Sequence, residues 1–129
     1  MSKFKAIHLF RIGLGVDMFM HGLVRIPKLE AFVAKSSKPF AETILPNAFV
    51  SGFLHVLPFL EAITGILILL GGRLSRVGYI LGGLIVSALI FGTTLHEDWN
   101  LAGQQLIYII AFAMAVWLFD HDKPTEPQN

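Results

Sequence analysis

The chain has 129 residues, 54% of them apolar, a formal net charge of +1 and no cysteine, with a mean hydropathy of +0.66. A single domain of this size cannot bury so much apolar surface in a water-soluble core, and the near-neutral balance excludes the basic stripe of a nucleic-acid binder. Without cysteine there are no disulfides, no thiol catalysis, no zinc–thiolate site and no dithiol redox relay, so any redox chemistry would need a bound group.

Four apolar stretches follow in chain order, at about 6–26, 48–70, 77–95 and 101–119, each near the roughly 20 residues that a bilayer requires. The connections "GGRLSR" and "HEDWN" are short, and short connections make consecutive helices antiparallel neighbours. The expected fold is all-α: one integral membrane four-helix bundle over residues 1–129, running up-down-up-down. The basic start "SKFK" suits a secretory signal, but Asp17 and His21 interrupt the apolar centre and no small-x-small cleavage site follows. A retained span is the expectation.

Between the first two spans, Pro27 to Asn47 reads as a long amphipathic loop. Leu29, Phe32, Val33, Phe40, Ile44 and Leu45 alternate there with Lys28, Glu30, Lys35, Lys38 and Glu42. Its prolines fit two short amphipathic pieces on the membrane interface; a solvated loop is the alternative. The polar tail, 120–129, should fray.

Basic residues near span ends set orientation. The face with both termini carries Lys3, Lys5, Arg73, Arg76 and Lys123, whereas the opposite face spreads Arg25, Lys28, Lys35 and Lys38 through the loop. The slight bias places both termini in the cytoplasm of a multi-pass protein of the cell inner membrane.

"RIGLGVDMFMHGLVR", Arg11 to Arg25, carries four ionisable groups within an apolar span. At about 100° per residue, with Arg11 at zero, Asp17 falls near 240°, His21 near 280° and Arg25 near 320°. Gly15 and Gly22 fall on the same side, at roughly 40° and 20°. This face must look into the bundle, because an unpaired charge in lipid is costly, and the glycines admit a neighbouring backbone.

In the second span His55, Pro58, Glu61 and Gly65 share an arc of roughly 120°, with Pro58 expected to kink the helix beside Glu61. The third span offers Gly78, Gly82, Gly83 and Ser87 for close packing. Asn100, Gln104, Tyr108, Ala111 and Ala115 line one face of the fourth.

Depth groups these residues further. His21 and His55 lie on the order of 8–10 Å inside the loop-rich face, where Gln104 also enters. Asp17 and Glu61 sit nearer the midplane. The expected ligand pocket is therefore His21, His55, Gln104, Asp17, Glu61 and Arg11, with His96, Glu97 and Arg25 at its mouth. Arg11 is about two helical turns from Glu61 in height, a gap that tilt and a long side chain would have to close.

Blander roles stand beside this. Arg11 with Glu61 or Asp17 would be an ion pair that only fixes helix register. The histidines would be hydrogen-bonded packing. Three of them near one level would suit zinc or haem iron, but the i,i+4 histidine pair of a tight helical metal site is absent, so no metal is assigned. Trp99 and Trp117 fit interfacial anchors.

Arg11, Gly15, His21, Gly22 and Arg25 form the pattern R-x-x-x-G-x-x-x-x-x-H-G-x-x-[KR], which resembles the first helix of the DoxX family. "FLEAITGILILLGGRLSR" resembles that family's second helix through Glu61, Gly65, Gly71 and the basic turn. The resemblance covers the first three spans, and the fourth only in hydropathy. It implies a small four-helix membrane protein, some of whose relatives are subunits of a thiosulfate:quinone oxidoreductase or of other membrane redox assemblies. Asp17 and the length of the first loop depart from that pattern.

The expected function is a subunit or accessory of a membrane redox system, with a polar intramembrane pocket for a quinone-like or other small ligand. Histidine and carboxylate beside a bilayer-accessible cavity can bond such a ligand and exchange its proton. The alternatives are a non-catalytic scaffold or assembly factor and, third, a small transporter. Expected partners are the lipid bilayer, other membrane or redox proteins and a second copy of the chain, with no nucleic acid. Catalysis by the chain alone is not implied.

Overall fold

Charge and apolar surface are arranged inside out. Glu61 is 3% exposed, while Leu9, Leu84, Ile107 and Ile110 on the helix exteriors are more than 60% exposed. That distribution suits a solvent of lipid chains. The computed structural model describes residues 4–122, so Lys3, Lys123 and the tail beyond Asp122 lie outside the described residues.

The described residues form α1 (Ala6–Leu23), α2 (Leu29–Ser37), α3 (Asn47–Leu70), α4 (Gly72–Leu95) and α5 (Trp99–His121), with 3₁₀ turns at Ile26–Lys28 and Lys38–Phe40. Four helical segments are long and apolar enough to cross a membrane; the first is a nearly continuous run from Ala6 to Phe40. The expected long loop is thus corrected: most of it is helical. Pro27 and Pro39 each sit in the first turn of a 3₁₀ segment, where a missing N–H costs nothing. Val33 buries against Val50, Leu54 and Leu57 of α3, with Phe32 and Phe40 beside it. Asp120 and His121, assigned above to the tail, belong to α5.

Glycine sets the α1–α3 contact. A Cβ on Gly22 would collide with the Pro58 carbonyl and stand 2.6 Å from the Ala62 nitrogen, and one on Gly65 would collide with the Phe19 backbone. A Cβ on Gly15 would come within 2.7 Å of Leu69. As α1 runs from Gly15 to Gly22, its partners on α3 descend from Leu69 to Pro58, so the two helices are antiparallel. α3 continues unbroken through Pro58.

The other contacts follow the same logic. Gly78 of α4 packs on Ile68, and Gly82 receives the ring of Phe112 from α5. Thr93 Oγ1 donates to Gln105 Oε1 at 2.8 Å. At the opposite end Arg76 makes two hydrogen bonds to Asp120, at 2.8 and 3.1 Å. Lys5 Nζ reaches Asp122 at 2.7 Å, which brings the start of α1 to the end of α5. Leu14, Met18, Ile68, Tyr79, Phe112 and Ala115 form the core between these contacts.

The α4–α5 turn is nearly as short as a helical turn can be. Asp98 N donates to Thr93 O at 2.8 Å and Glu97 N to Thr94 O at 3.1 Å, the paired bonds of a Schellman C-cap. Asp98 Oδ1 then accepts from Leu101 N at 3.1 Å and caps α5. The geometry forces Glu97 to φ 63°, the one non-glycine residue described with positive φ. Glu97→Gly should therefore raise thermal stability in detergent by about 1 kcal/mol, because an L side chain in this region costs about that much. Unchanged or lower stability would show that the Glu97 side chain contributes something the turn geometry does not reveal.

Candidate functional site

Residues of α1, of α2 and the turn after it, and of α3, α4 and α5 face one another around a common space. A cavity of about 690 Å³ results, within the roughly 300–1,000 Å³ common for small-molecule sites. Its walls are mainly apolar, and one group of polar side chains projects into it.

Asp17 and His21 stand one turn apart on α1. His21 Nδ1 lies 2.8 Å from the Asp17 carbonyl oxygen and 3.3 Å from Asp17 Oδ2. A carbonyl oxygen can only accept, so Nδ1 carries the proton in that bond. The Tyr108 hydroxyl of α5 lies beside the Asp17 carboxylate. Arg25 Nη1 approaches both oxygens of the buried Glu61, at 3.2 and 3.3 Å, and its guanidinium lies 4.6 Å from the centre of the Phe32 ring. One arginine therefore ties α1, α2 and α3 together through a charge pair and a cation–π contact.

Of the residues expected at the pocket, Asp17, His21, Glu61 and Gln104 line the cavity, as do Arg25 and His96 from its expected mouth. His96 lies edge-on to Phe40, with ring centres 4.8 Å apart. The cavity does not include Arg11, His55 or Glu97.

Arg11 is a correction of register. The α1–α3 contacts put Glu61 level with about residue 22, so Arg11 is roughly 16 Å away along the axis. It instead donates to the Leu69 carbonyl at 2.7 Å, satisfying an orphan acceptor at the C-terminal end of α3. Arg25 is only about one turn from the level of Glu61 and takes its place as the partner. His55 turns outward. Its Nδ1 bonds the Ser51 carbonyl at 2.7 Å and its Nε2 meets Glu30 of α2 at 3.2 Å. Glu97 is held away by its place in the α4–α5 turn.

The cavity also holds residues that the sequence did not single out: Thr93 with its partner Gln105, Asp98, and a set of phenylalanines. Of the phenylalanines, Phe32 and Phe40 come from the segment read as an amphipathic loop, whereas Phe49 and Phe53 of α3 and Phe91 of α4 carried no signal. Thr93 had none, because its role appears only once Gln105 is opposite. Among the described residues no three His, Asp or Glu side chains are grouped to hold a metal ion.

Comparison with protein-family profiles, curated proteins and solved structures gives no match for this chain. The functional reading rests on the site itself.

Proposed function

We propose that this chain is an up-down-up-down, multi-pass membrane protein of DoxX-like type that serves as a subunit or accessory of a membrane redox system and holds a small lipid-soluble, quinone-like ligand. The observation that carries this is one cavity within membrane-spanning helices where apolar walls meet an Asp17–His21–Glu61–Arg25 cluster. Four ionisable groups gathered inside a membrane bundle are expensive to keep there. Apolar walls with a few convergent polar groups are what a ligand of mixed character requires. The His21–Asp17 couple supplies a proton exchange point beside it.

Purification in mild detergent, followed by mass spectrometry of extracted lipids and copurifying proteins, tests this. An aromatic, lipid-soluble compound in near-stoichiometric amount, lost in a His21→Ala variant, is expected. Ordinary phospholipid alone, at equal levels in both proteins, would overturn the ligand reading. The alternative of a non-catalytic scaffold has its own support: a Cβ on Gly13, Gly52 or Gly103 would meet nothing within 4 Å, leaving room on those faces for another helix. Copurifying membrane proteins without any bound compound would favour it.

The proposed orientation puts both termini in the cytoplasm and α2 on the outer side of the inner membrane. Since the native chain has no cysteine, single cysteines can be labelled cleanly. Glu42→Cys should react with an impermeant maleimide on intact cells, and Arg73→Cys should react only after lysis. The reverse pattern would invert the topology.

A further inference from the structure

Cations are treated differently at the two ends of the bundle. Where α1 begins and α5 ends, Lys5 is paired with Asp122 and Arg76 with Asp120. Around α2, Lys28, Lys35 and Lys38 are exposed, and their side chains enter none of the ion pairs among the described residues. With the exposed Ala31 they stand at i, i+3, i+7 and i+10 along α2 and its flanking turns, a spacing that lines up one face. Leu29, Phe32 and Val33 instead pack toward α3, and Glu30 is turned to His55 of α3. Glu42 lies past the second 3₁₀ turn, beyond the row.

The depth of this row is that of lipid phosphates. α1 has 18 residues and rises about 27 Å, close to the roughly 30 Å of a hydrocarbon core. Lys28 therefore follows just beyond the edge of the core. Leu23 and Val24 at the end of α1 are exposed, as are Phe49 at the start of α3 and Ile44 before it, the last by 85%. Such a collar is costly in water and at ease against acyl chains. A lysine beside it can lay its apolar stem along the chains and hold its ammonium at the phosphates.

We infer that the Lys28–Lys35–Lys38 face of α2 binds the head groups of anionic phospholipids in the surrounding leaflet and fastens α2 at the membrane surface. The lysines supply charge complementarity, since each basic residue near an anionic surface adds its own attraction. The collar selects a lipid over a free anion, because only the lipid brings acyl chains to cover Ile44 and Phe49. This holds whatever the cavity contains, so its failure and that of the ligand reading are separate results.

The test uses the full chain in a nonionic detergent and native mass spectrometry of two lipids with the same oleoyl chains, phosphatidylglycerol and phosphatidylcholine. Phosphatidylglycerol should bind about tenfold or more tightly, the scale of a few lysines at an anionic surface. Lys28→Gln, Lys35→Gln and Lys38→Gln together should reduce that preference to about twofold or less and leave phosphatidylcholine binding unchanged. Arg73→Gln, at the opposite end, should leave it at the parent's level. Equal binding of the two lipids by the parent, a preference that survives the triple change, or one lost in Arg73→Gln would overturn the proposal. Displacement of phosphatidylglycerol by millimolar glycerol phosphate would reveal a site for free anions and overturn the lipid assignment. The triple variant should unfold at the parent's temperature in lipid-free detergent. Should it not, the three single changes decide, each expected to lower the preference about twofold.

Discussion

Gly22→Leu should prevent accumulation of folded protein, and even Gly22→Ala should lower stability in detergent by more than about 3 kcal/mol. Overpacking a core ordinarily costs about 1–3 kcal/mol because flexible side chains move aside. Here the obstacles are the Pro58 carbonyl and the Ala62 nitrogen, 2.6 Å from the added carbon in the second case. Backbone cannot rotate out of the way, so the two helices must separate along their whole contact. Separation would pull Arg25 from Glu61 and open the polar cluster to lipid. Gly13→Ala is the matched control. It adds the same methyl to the same helix where nothing lies within 4 Å, and it should leave stability unchanged or raise it by up to about 1 kcal/mol. Thermal unfolding of both variants in one detergent measures the difference. If Gly22→Ala unfolds with the parent, the close α1–α3 approach does not hold the bundle together.

The existence of four apolar helices was legible because it depends only on composition summed over about twenty residues. The inward face of α1 was legible for a related reason: helical period and the cost of charge in lipid together leave Asp17, His21 and Arg25 one direction to point. Register between helices was not legible. Arg11 and Arg25 share a face, and choosing which one meets Glu61 requires the height at which Gly22 locks onto Pro58, a contact between residues 36 apart. His55 shows a second limit. It shares an arc with Glu61, but α2 brings Glu30 to its outer edge, and a segment read as a loop offered no such partner. Pro27 and Pro39 suggested interruption, yet each falls in the first turn of a helical segment, where proline is tolerated.

Removing one member of the Arg25–Glu61 pair should be far more harmful than removing both. Glu61→Ala leaves the Arg25 guanidinium inside an apolar bundle with Phe32 as its main remaining neighbour. Stranding one partner of a buried pair costs about 3–5 kcal/mol, whereas replacing both with apolar groups of similar volume is often neutral or stabilising. Glu61 is nearly fully buried, at 4% side-chain exposure, and Arg25 is at 30%, so Arg25→Met should be the worse of the two single changes. It leaves the carboxylate that has less access to water and places it near the Asp17 charge. The double change Arg25→Met with Glu61→Leu should recover most of the lost stability. Arg11→Met offers a discriminating comparison. It removes only a bond to the Leu69 carbonyl at 2.7 Å, should cost about 1–2 kcal/mol and should not rescue Glu61→Ala. Unfolding temperatures of these variants, of Arg11→Met combined with Glu61→Ala, and of the parent check this directly. Rescue by Arg11→Met instead of Arg25→Met would mean that the helices meet in a different register.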